Sequence, residues 1–232
     1  CVEVFFLFII LKIIKMFNNT INIKTTSKKT LGDLQTPMNI YLQIREKIRD
    51  NILLESSNAK NIDNNFSFIA VNAIAGIEIK DLHEYEIKFP NENPEKKSLE
   101  NIEVTQLLND FSKVFVCEKT NDKIEETAQS LFGYTSFEAV PLFENISFKT
   151  QSKEVEIPIL RYRLYQYVIA INHFNDEMHL IENKIDGVKS EMLLLQDLIK
   201  NKNTLVYPFE KDGSETSNLT DEEYLELVDK AK

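Results

Sequence analysis

Two adjacent polar residues, Glu55 and Ser56, directly follow the apolar run Ile52-Leu53-Leu54. If that run is a buried strand, the carboxylate and the hydroxyl stand where the strand leaves the core. A carboxylate binds an ammonium group, and a hydroxyl donates or accepts hydrogen bonds, so this pair could bind an α-amino group or a peptide backbone. The alternative is a solvated strand end, and the residue types alone favour that alternative.

A metal site would need ligands that converge, and the two histidines nearest to each other are His173 and His179. A two-residue turn at Asn175-Asp176 would pair His173 with Met178, and His179 would belong to the next pair along. Because successive pairs of a hairpin face opposite sides, the two imidazoles should point apart. The sequence therefore predicts no metal ligands.

Signatures of a catalytic nucleophile and of nucleotide binding are missing from the sequence. No GxSxG elbow, GxGxxG string or P-loop occurs, and the chain holds only 5 glycines. Cys117 ends an apolar stripe and is expected to be a small buried hydrophobic residue. No catalytic residue is predicted.

The charge and cysteine counts exclude several classes of partner. The chain has 27 Lys and Arg residues against 37 Asp and Glu residues, a formal net charge of −10. This charge disfavours binding to nucleic acid and to anionic lipid. The longest apolar stretch, residues 4–11, is shorter than the roughly 20 residues that a membrane helix needs. Two cysteines provide no disulfide framework, which favours a reducing, cytoplasmic compartment.

The patterns that must position these residues predict an α+β fold with antiparallel sheets and packed helices. Thr36-Pro37 is a typical helix start, and the helix is expected to run to Asp50. Residues 104–115 and 188–199 carry apolar side chains at helical spacing. Strands are predicted at 52–54, 66–71, 74–79 and 85–89, with a further antiparallel pair within 157–181.

The two ends of the chain differ from its centre. The first methionine is Met16, and residues 1–15 are expected to be read-through from upstream of the true start rather than native structure. Residues 16–218 are expected to form one domain. Near the other end, Thr220 and Glu223 form a capping-box pattern, and an apolar helix face follows with no stop signal before Lys232.

Several blocks of the sequence carry a family resemblance. In chain order they are LGDLQTP (31–37), YLQIR (41–45), LLESS (53–57), NFSFI (65–69), LFGYTSFEAV (131–140), IAINHF (169–174) and SNLTDEE (217–223). In order and spacing they resemble the N-terminal region of anthranilate synthase component I, a chorismate-utilising enzyme, over about residues 20–232. The sequence departs from the family pattern at Asn65, at Asn72-Ala73 and at Pro141.

The resemblance implies the chemistry of a protein about twice this length. That enzyme is a lyase of tryptophan biosynthesis, which aminates chorismate and eliminates pyruvate to give anthranilate. Its Mg²⁺ is held by carboxylates of a chorismate-binding half, and a glutamine amidotransferase subunit supplies the ammonia. The resemblance places residues 219–232 in the first helix of that half, which is otherwise missing here, so this fragment is expected to be inactive.

What the resemblance transfers to this chain is a feedback site for tryptophan. In many family members the block that matches Leu54, Glu55 and Ser56 helps to bind the inhibitor, and the block that matches Phe66 and Ser67 lies beside it. Two alternatives stay open: the same domain of aminodeoxychorismate synthase component I in the folate pathway, and a stand-alone amino-acid-binding module. A third is an interaction module that docks through the C-terminal helix.

Overall fold

A computed structural model describes residues 20–33, 35–55, 65–148, 157–201, 208, 210–214 and 216–232. The described helices are α1 (Pro37–Arg45), α2 (Val104–Lys113), α3 (Lys123–Ala128), α4 (Met192–Lys200) and α5 (Asp221–Ala231), with a 3₁₀ helix at Phe137–Leu142. The strands are β1 (Ile21–Leu31), β2 (Asn51–Leu54), β3 (Phe66–Ile79), β4 (Glu84–Lys88), β5 (Glu95–Ser98), β6 (Phe115–Cys117), β7 (Phe132–Thr135), β8 (Leu160–Asn172) and β9 (Glu177–Lys184). These elements confirm the predicted α+β class.

Two long antiparallel strands, β3 and β8, form the centre of the sheet. Along the described chain the strand order is β5-β4-β3-β8-β9-β1-β6, with β2 also on β3 and β7 also on β8. Part-way along its length, β3 therefore changes its outer neighbour from β2 to β4, and β8 changes its outer neighbour from β7 to β9. The change coincides with a register shift between Ala73 and Ala75, which is typical of a β-bulge.

The bulge explains why residues 66–71 and 74–79 form one strand rather than the predicted two. Asn72 adopts the left-handed conformation with φ 61°, which asparagine tolerates better than most residues. Its side-chain amide donates a hydrogen bond of 2.7 Å to Gln166 Oε1 on β8. The local irregularity is therefore held by a polar contact between the two central strands.

Helices and strands bury apolar side chains on both faces of the sheet. On one face Ile40 and Ile44 of α1 and Leu195 of α4 pack against Ile69 and Ile169. The opposite face of the same strands carries a second cluster around Ala70, Phe132 and Val168. Beyond the bulge, a third cluster joins the β3–β4 hairpin to α2. Because β3 is covered on both faces, it reads as a nearly continuous apolar run.

Two helix starts follow the predicted capping chemistry. Thr36 Oγ1 accepts a hydrogen bond of 3.2 Å from Asn39 N, and Pro37 occupies the first turn of α1. At α5, Thr220 Oγ1 accepts from Glu223 N, and a carboxylate oxygen of Glu223 accepts from Thr220 N. The predicted capping box is confirmed, whereas α1 ends at Arg45 rather than at Asp50.

The turn between β8 and β9 differs from the prediction. Ile171 pairs with Met178 and Ala170 with His179, so the connecting loop has four residues, 173–176, and the predicted two-residue turn is wrong. The loop is closed by side chains: Asn172 Oδ1 accepts from Phe174 N at 2.8 Å, and Asn175 Oδ1 accepts from Glu177 N at 3.1 Å. Such Asx contacts hold a turn that the dipeptide Asn-Asp alone does not specify.

One further prediction is wrong, and two others lie outside the described residues. Phe115 was expected on a helix face but lies in β6, which pairs with β1 in parallel. Residues 1–15 lie outside the described residues, as does Ser56. Within the described ranges, no helix has both the length and the apolar composition that crossing a membrane requires.

Candidate functional site

The predicted effector residues gather where β2 ends, β3 begins and the β8–β9 loop turns. Leu54 and Phe68 are the last pair of the β2–β3 ladder. Glu55, the next residue, therefore lies opposite Ser67. His173 N donates a hydrogen bond of 3.0 Å to the carbonyl oxygen of Asn65, which extends the ladder between β3 and β8. Four of the five predicted residues therefore occupy one corner of the sheet.

The same residues are divided between the two faces of that corner. Side chains alternate along a strand, so Phe66 and Phe68 point to one side and Ser67 to the other. The two phenyl rings stack with centroids 6.0 Å apart, and Phe68 also contacts Phe132. Leu54 shares the aromatic face because it is paired directly with Phe68. The aromatic wall and the Ser67 hydroxyl thus do not face one common pocket.

Ser67 forms a hydrogen bond that the sequence did not indicate. Its Oγ lies 2.7 Å from His173 Nε2, and Ser67 is fully buried whereas His173 is exposed. A serine–histidine contact of this length resembles the start of a nucleophilic pair. A fully buried hydroxyl cannot meet a substrate carbonyl, however, so the contact fixes the β8–β9 loop against the start of β3.

One acceptor at this corner is available to a ligand that donates hydrogen bonds. The exposed Glu55 carboxylate forms no ion pair with any residue that the structure describes. The side-chain oxygen of Asn65 also has no hydrogen-bond partner in the described part of the chain, but it is buried and does not face the solvent. A carboxylate binds ammonium groups strongly. This corner is therefore suited to a positively charged donor.

A partly buried ion-pair network lies beside the start of β2, the strand that Glu55 follows. Arg163 Nη1 lies 2.6 Å from Asp50 Oδ1, and its Nη2 lies 3.3 Å from Glu78 Oε2. Arg161 Nε contacts the same Glu78 oxygen at 2.7 Å. Burial acts to lower the pKa of Arg163, but the charge and hydrogen bond of Asp50 outweigh it, so the pKa is raised. Because Asp50 directly precedes β2, this charged arginine holds the base of the strand in place.

The histidines and the cysteine offer little to a metal ion. His179 pairs with Ala170 and so shares the face of Phe68, whereas His173 contacts Ser67 on the opposite face. Among the described residues, no group of three or more His, Cys, Asp or Glu side chains could hold a metal ion. A Mg²⁺ site needs several oxygen ligands, and this part of the chain does not provide them.

Cys117 is half-buried and packs at the edge of the cluster that contains α2. Burial raises the pKa of its thiol, which disfavours the thiolate. The residue is therefore placed as a packing residue rather than as a nucleophile.

The C-terminal helix α5 has an apolar face that no described residue covers. None of its residues is buried, and the exposed fractions of Tyr224 and Leu227 are 60% and 49%. An amphipathic helix normally buries such a face, so the apolar face of α5 is available to a packing partner.

Comparison with known proteins gives one informative similarity. The chain is 26% identical over 218 residues to Anthranilate synthase component 1 of Lactococcus lactis subsp. lactis (strain IL1403). The match covers 88% of this chain and 44% of that relative, so the chain spans less than half of the relative's length. No family model matches the sequence. The name of that relative describes it as one component of an enzyme with more than one component.

Proposed function

We propose that this chain is the N-terminal regulatory part of an anthranilate synthase component I. The observation that carries the proposal is the similarity to the Lactococcus lactis protein, which extends over 88% of the chain. The unpartnered apolar face of α5 supports it, because a further half of the protein would supply the missing packing surface. Synthesis of anthranilate from chorismate would then take place in that other half.

The role of this chain in the proposed enzyme is to bind tryptophan as a feedback inhibitor. The Glu55 carboxylate would accept the ammonium group, the Ser56 hydroxyl would bind the carboxylate or backbone, and the Leu54 and Phe66 side chains would offer apolar surface to the indole. Ser67 would act through His173, by fixing the loop beside the binding corner. The division of these residues between two faces implies that the other half of the protein completes the pocket.

The partners follow from the same proposal. A glutamine amidotransferase subunit would deliver ammonia, and Mg²⁺ would be held in the chorismate-binding half. The described residues contain no suitable group of ligands for that ion. This chain would therefore contribute regulation and structural support, and no catalytic residue.

Catalysis is tested with the purified 232-residue chain. It is mixed with chorismate, Mg²⁺ and ammonia, and the fluorescence of anthranilate is followed. We expect no product, because the residues that bind chorismate and Mg²⁺ are assigned to the other half. Turnover by this chain alone would contradict the proposed division of roles.

The effector site is tested by calorimetric titration of the same chain with tryptophan. We expect weak or undetectable binding, because only part of the pocket is present. Micromolar binding that is lost in Glu55→Ala and Ser56→Ala would instead establish a stand-alone amino-acid-binding module. Glu92→Ala, an exposed glutamate in the turn after β4, is the matched control.

A further inference from the structure

A small hollow lies on one face of the sheet, beyond the bulge in β3. It opens over Gly76, and its volume is about 110 Å³. A small-molecule cavity usually has at least roughly 300 Å³, so this hollow is suited to a very small molecule or to one end of a larger one. Gly76 follows Ser67 by nine residues of β3. The hollow is therefore roughly 30 Å from the candidate effector corner, at about 3.3 Å per residue.

The hollow exists because Gly76 has no side chain. Gly76 pairs with Arg163 of β8 on one side and with Lys88 of β4 on the other, so these two residues flank an empty position. A Cβ built on Gly76 would lie 2.9 Å from Arg163 Cγ, which places the Arg163 side chain on this face. The alternate residues of β4, Tyr85 and Ile87, are buried in the cluster on the opposite face. Backbone therefore forms the floor of the hollow, and charged side chains form its walls.

One wall carries a carboxylate without a cation. Glu86 lines the hollow and lies directly opposite Glu78, and like charges in that arrangement destabilise a sheet. The charge of Glu78 is compensated, because Arg161 Nε and Arg163 Nη2 lie 2.7 Å and 3.3 Å from its Oε2. In the described part of the chain, no cationic nitrogen lies within 4.0 Å of the Glu86 carboxylate. This carboxylate is therefore suited to an ammonium group from a ligand.

The same wall carries an ammonium group without an anion. Lys88 follows Glu86 by two residues of β4, so both side chains lie on one face, with Cα atoms roughly 7 Å apart. Lys88 Nζ reaches across β3 and donates a hydrogen bond of 3.5 Å to the carbonyl oxygen of Ala73, which also lines the hollow. Among the residues that the structure describes, no carboxylate oxygen lies within 4.0 Å of Nζ. Both charged residues are partly exposed, so a ligand can reach them.

We propose that this hollow binds the charged end of a free α-amino acid. The ammonium group lies beside Glu86 and relieves its repulsion by Glu78, and the carboxylate lies beside Lys88. The ligand's side chain projects into solvent, because the hollow has no room for it. The inference does not depend on the proposed function. Binding here would persist in Glu55→Ala, whereas binding at the candidate effector corner would not.

The test titrates the full 232-residue chain, labelled with nitrogen-15, with three molecules of nearly equal size and follows the amide signals by NMR. Glycine has both charged groups, glycolate has a hydroxyl in place of the ammonium group, and glycinamide has an amide in place of the carboxylate. Because each ion pair is partly exposed, glycine should bind about fivefold more tightly than either analogue. The amide signals of Gly76 and Lys88 should shift as glycine is added.

Two variants and a control assign the charged groups. Glu86→Gln should lower the affinity for glycine to that for glycolate, and Lys88→Gln should lower it to that for glycinamide. Glu84→Gln should leave the affinity unchanged, because Glu84 lies on the same face of β4 but outside the hollow, where Lys96 Nζ contacts it at 3.2 Å. All three substitutions change partly exposed side chains, so the fold should be retained.

The proposal is overturned if the wild-type protein binds glycolate or glycinamide as tightly as glycine, or if Glu86→Gln binds glycine with unchanged affinity. It is also overturned if glycine leaves the Gly76 and Lys88 signals in place, because the amino acid would then not occupy the hollow.

Discussion

Substitution of Gly133 by alanine should be among the most damaging single changes in this chain. Gly133 lies in β7 and pairs with Tyr162 of β8. A Cβ atom built on Gly133 would lie 1.8 Å from the carbonyl oxygen of Arg161 and 2.8 Å from Tyr162 Cα. Both are backbone atoms of a central strand, so no side-chain rotation relieves the overlap.

The size of the effect follows from how far β7 must move. An ordinary contact begins at 3.4 Å, so the strand would have to shift by roughly 1.6 Å. That shift disrupts the pairing of β7 with β8, in which four residue pairs face each other and each lost hydrogen bond costs about 1 kcal/mol. It also loosens Phe132, whose ring packs edge-on against Tyr165. We expect the free energy of unfolding to fall by about 3–5 kcal/mol, a large part of the total for a domain.

The assay is urea denaturation followed by circular dichroism, with Gly213→Ala as the control. Gly213 has φ +79° but open space around its Cβ position, so its substitution costs only backbone strain, about 1 kcal/mol. Gly76→Ala should lie between the two, because its Cβ would lie 2.9 Å from Arg163 Cγ and 3.2 Å from the carbonyl oxygen of Tyr162, which are smaller overlaps than at Gly133. Equal unfolding midpoints for Gly133→Ala and Gly213→Ala would refute this reasoning.

Three further predictions concern ionisation and capping. Burial raises the pKa of Tyr165 to about 12 from 10.0. The contribution of this shift to stability is therefore complete below pH 10 and is lost as the pH rises to 12. Tyr165→Phe should remove the latest step of the ultraviolet titration, and an unchanged titration would contradict this. Burial raises the pKa of Cys117, so iodoacetamide at pH 8 should modify it more slowly in folded than in urea-unfolded protein, as peptide mapping would show; equal rates would be evidence against the burial. Thr220→Ala removes the cap of α5 and should destabilise that helix by about 1 kcal/mol. Amide exchange in the first turn of α5 should become faster, while the midpoint of global unfolding should not change. A lower midpoint would mean that α5 packs on the domain.

The sequence predicted the elements that carry strong apolar periodicity and missed those that do not. Strand β1 has only one buried apolar residue, Ile23, because most of it is polar and pairs with β9 through backbone bonds. Lysines and threonines suit a strand near an edge of the sheet, but their pattern resembles that of a loop. Helix α3 carries no apolar periodicity for a similar reason: Ala128 is its only buried residue.

The corner formed by Glu55 and Ser67 was predictable in part. The ends of β2 and the start of β3 were predicted from local apolar runs, because such a run indicates a strand without information from distant residues. The Ser67–His173 contact joins residues 106 positions apart and depends on the length of the β8–β9 loop. That length is set by Asn172 and Asn175 contacts with the backbone, which composition alone does not reveal. The division of the site between two faces likewise becomes visible only once the register is fixed.

The most direct test of the proposed function uses the complete product of the reading frame that encodes this chain. Its rate of anthranilate formation from chorismate, Mg²⁺ and ammonia is measured across a tryptophan series, for wild type, Glu55→Ala, Ser56→Ala and the control Glu92→Ala. We predict that tryptophan inhibits wild type and Glu92→Ala alike. Both site variants should need about tenfold more tryptophan for half-inhibition, which corresponds to about 1.4 kcal/mol for a lost polar contact. A product other than anthranilate, or inhibition that is the same in all four proteins, would contradict the proposal.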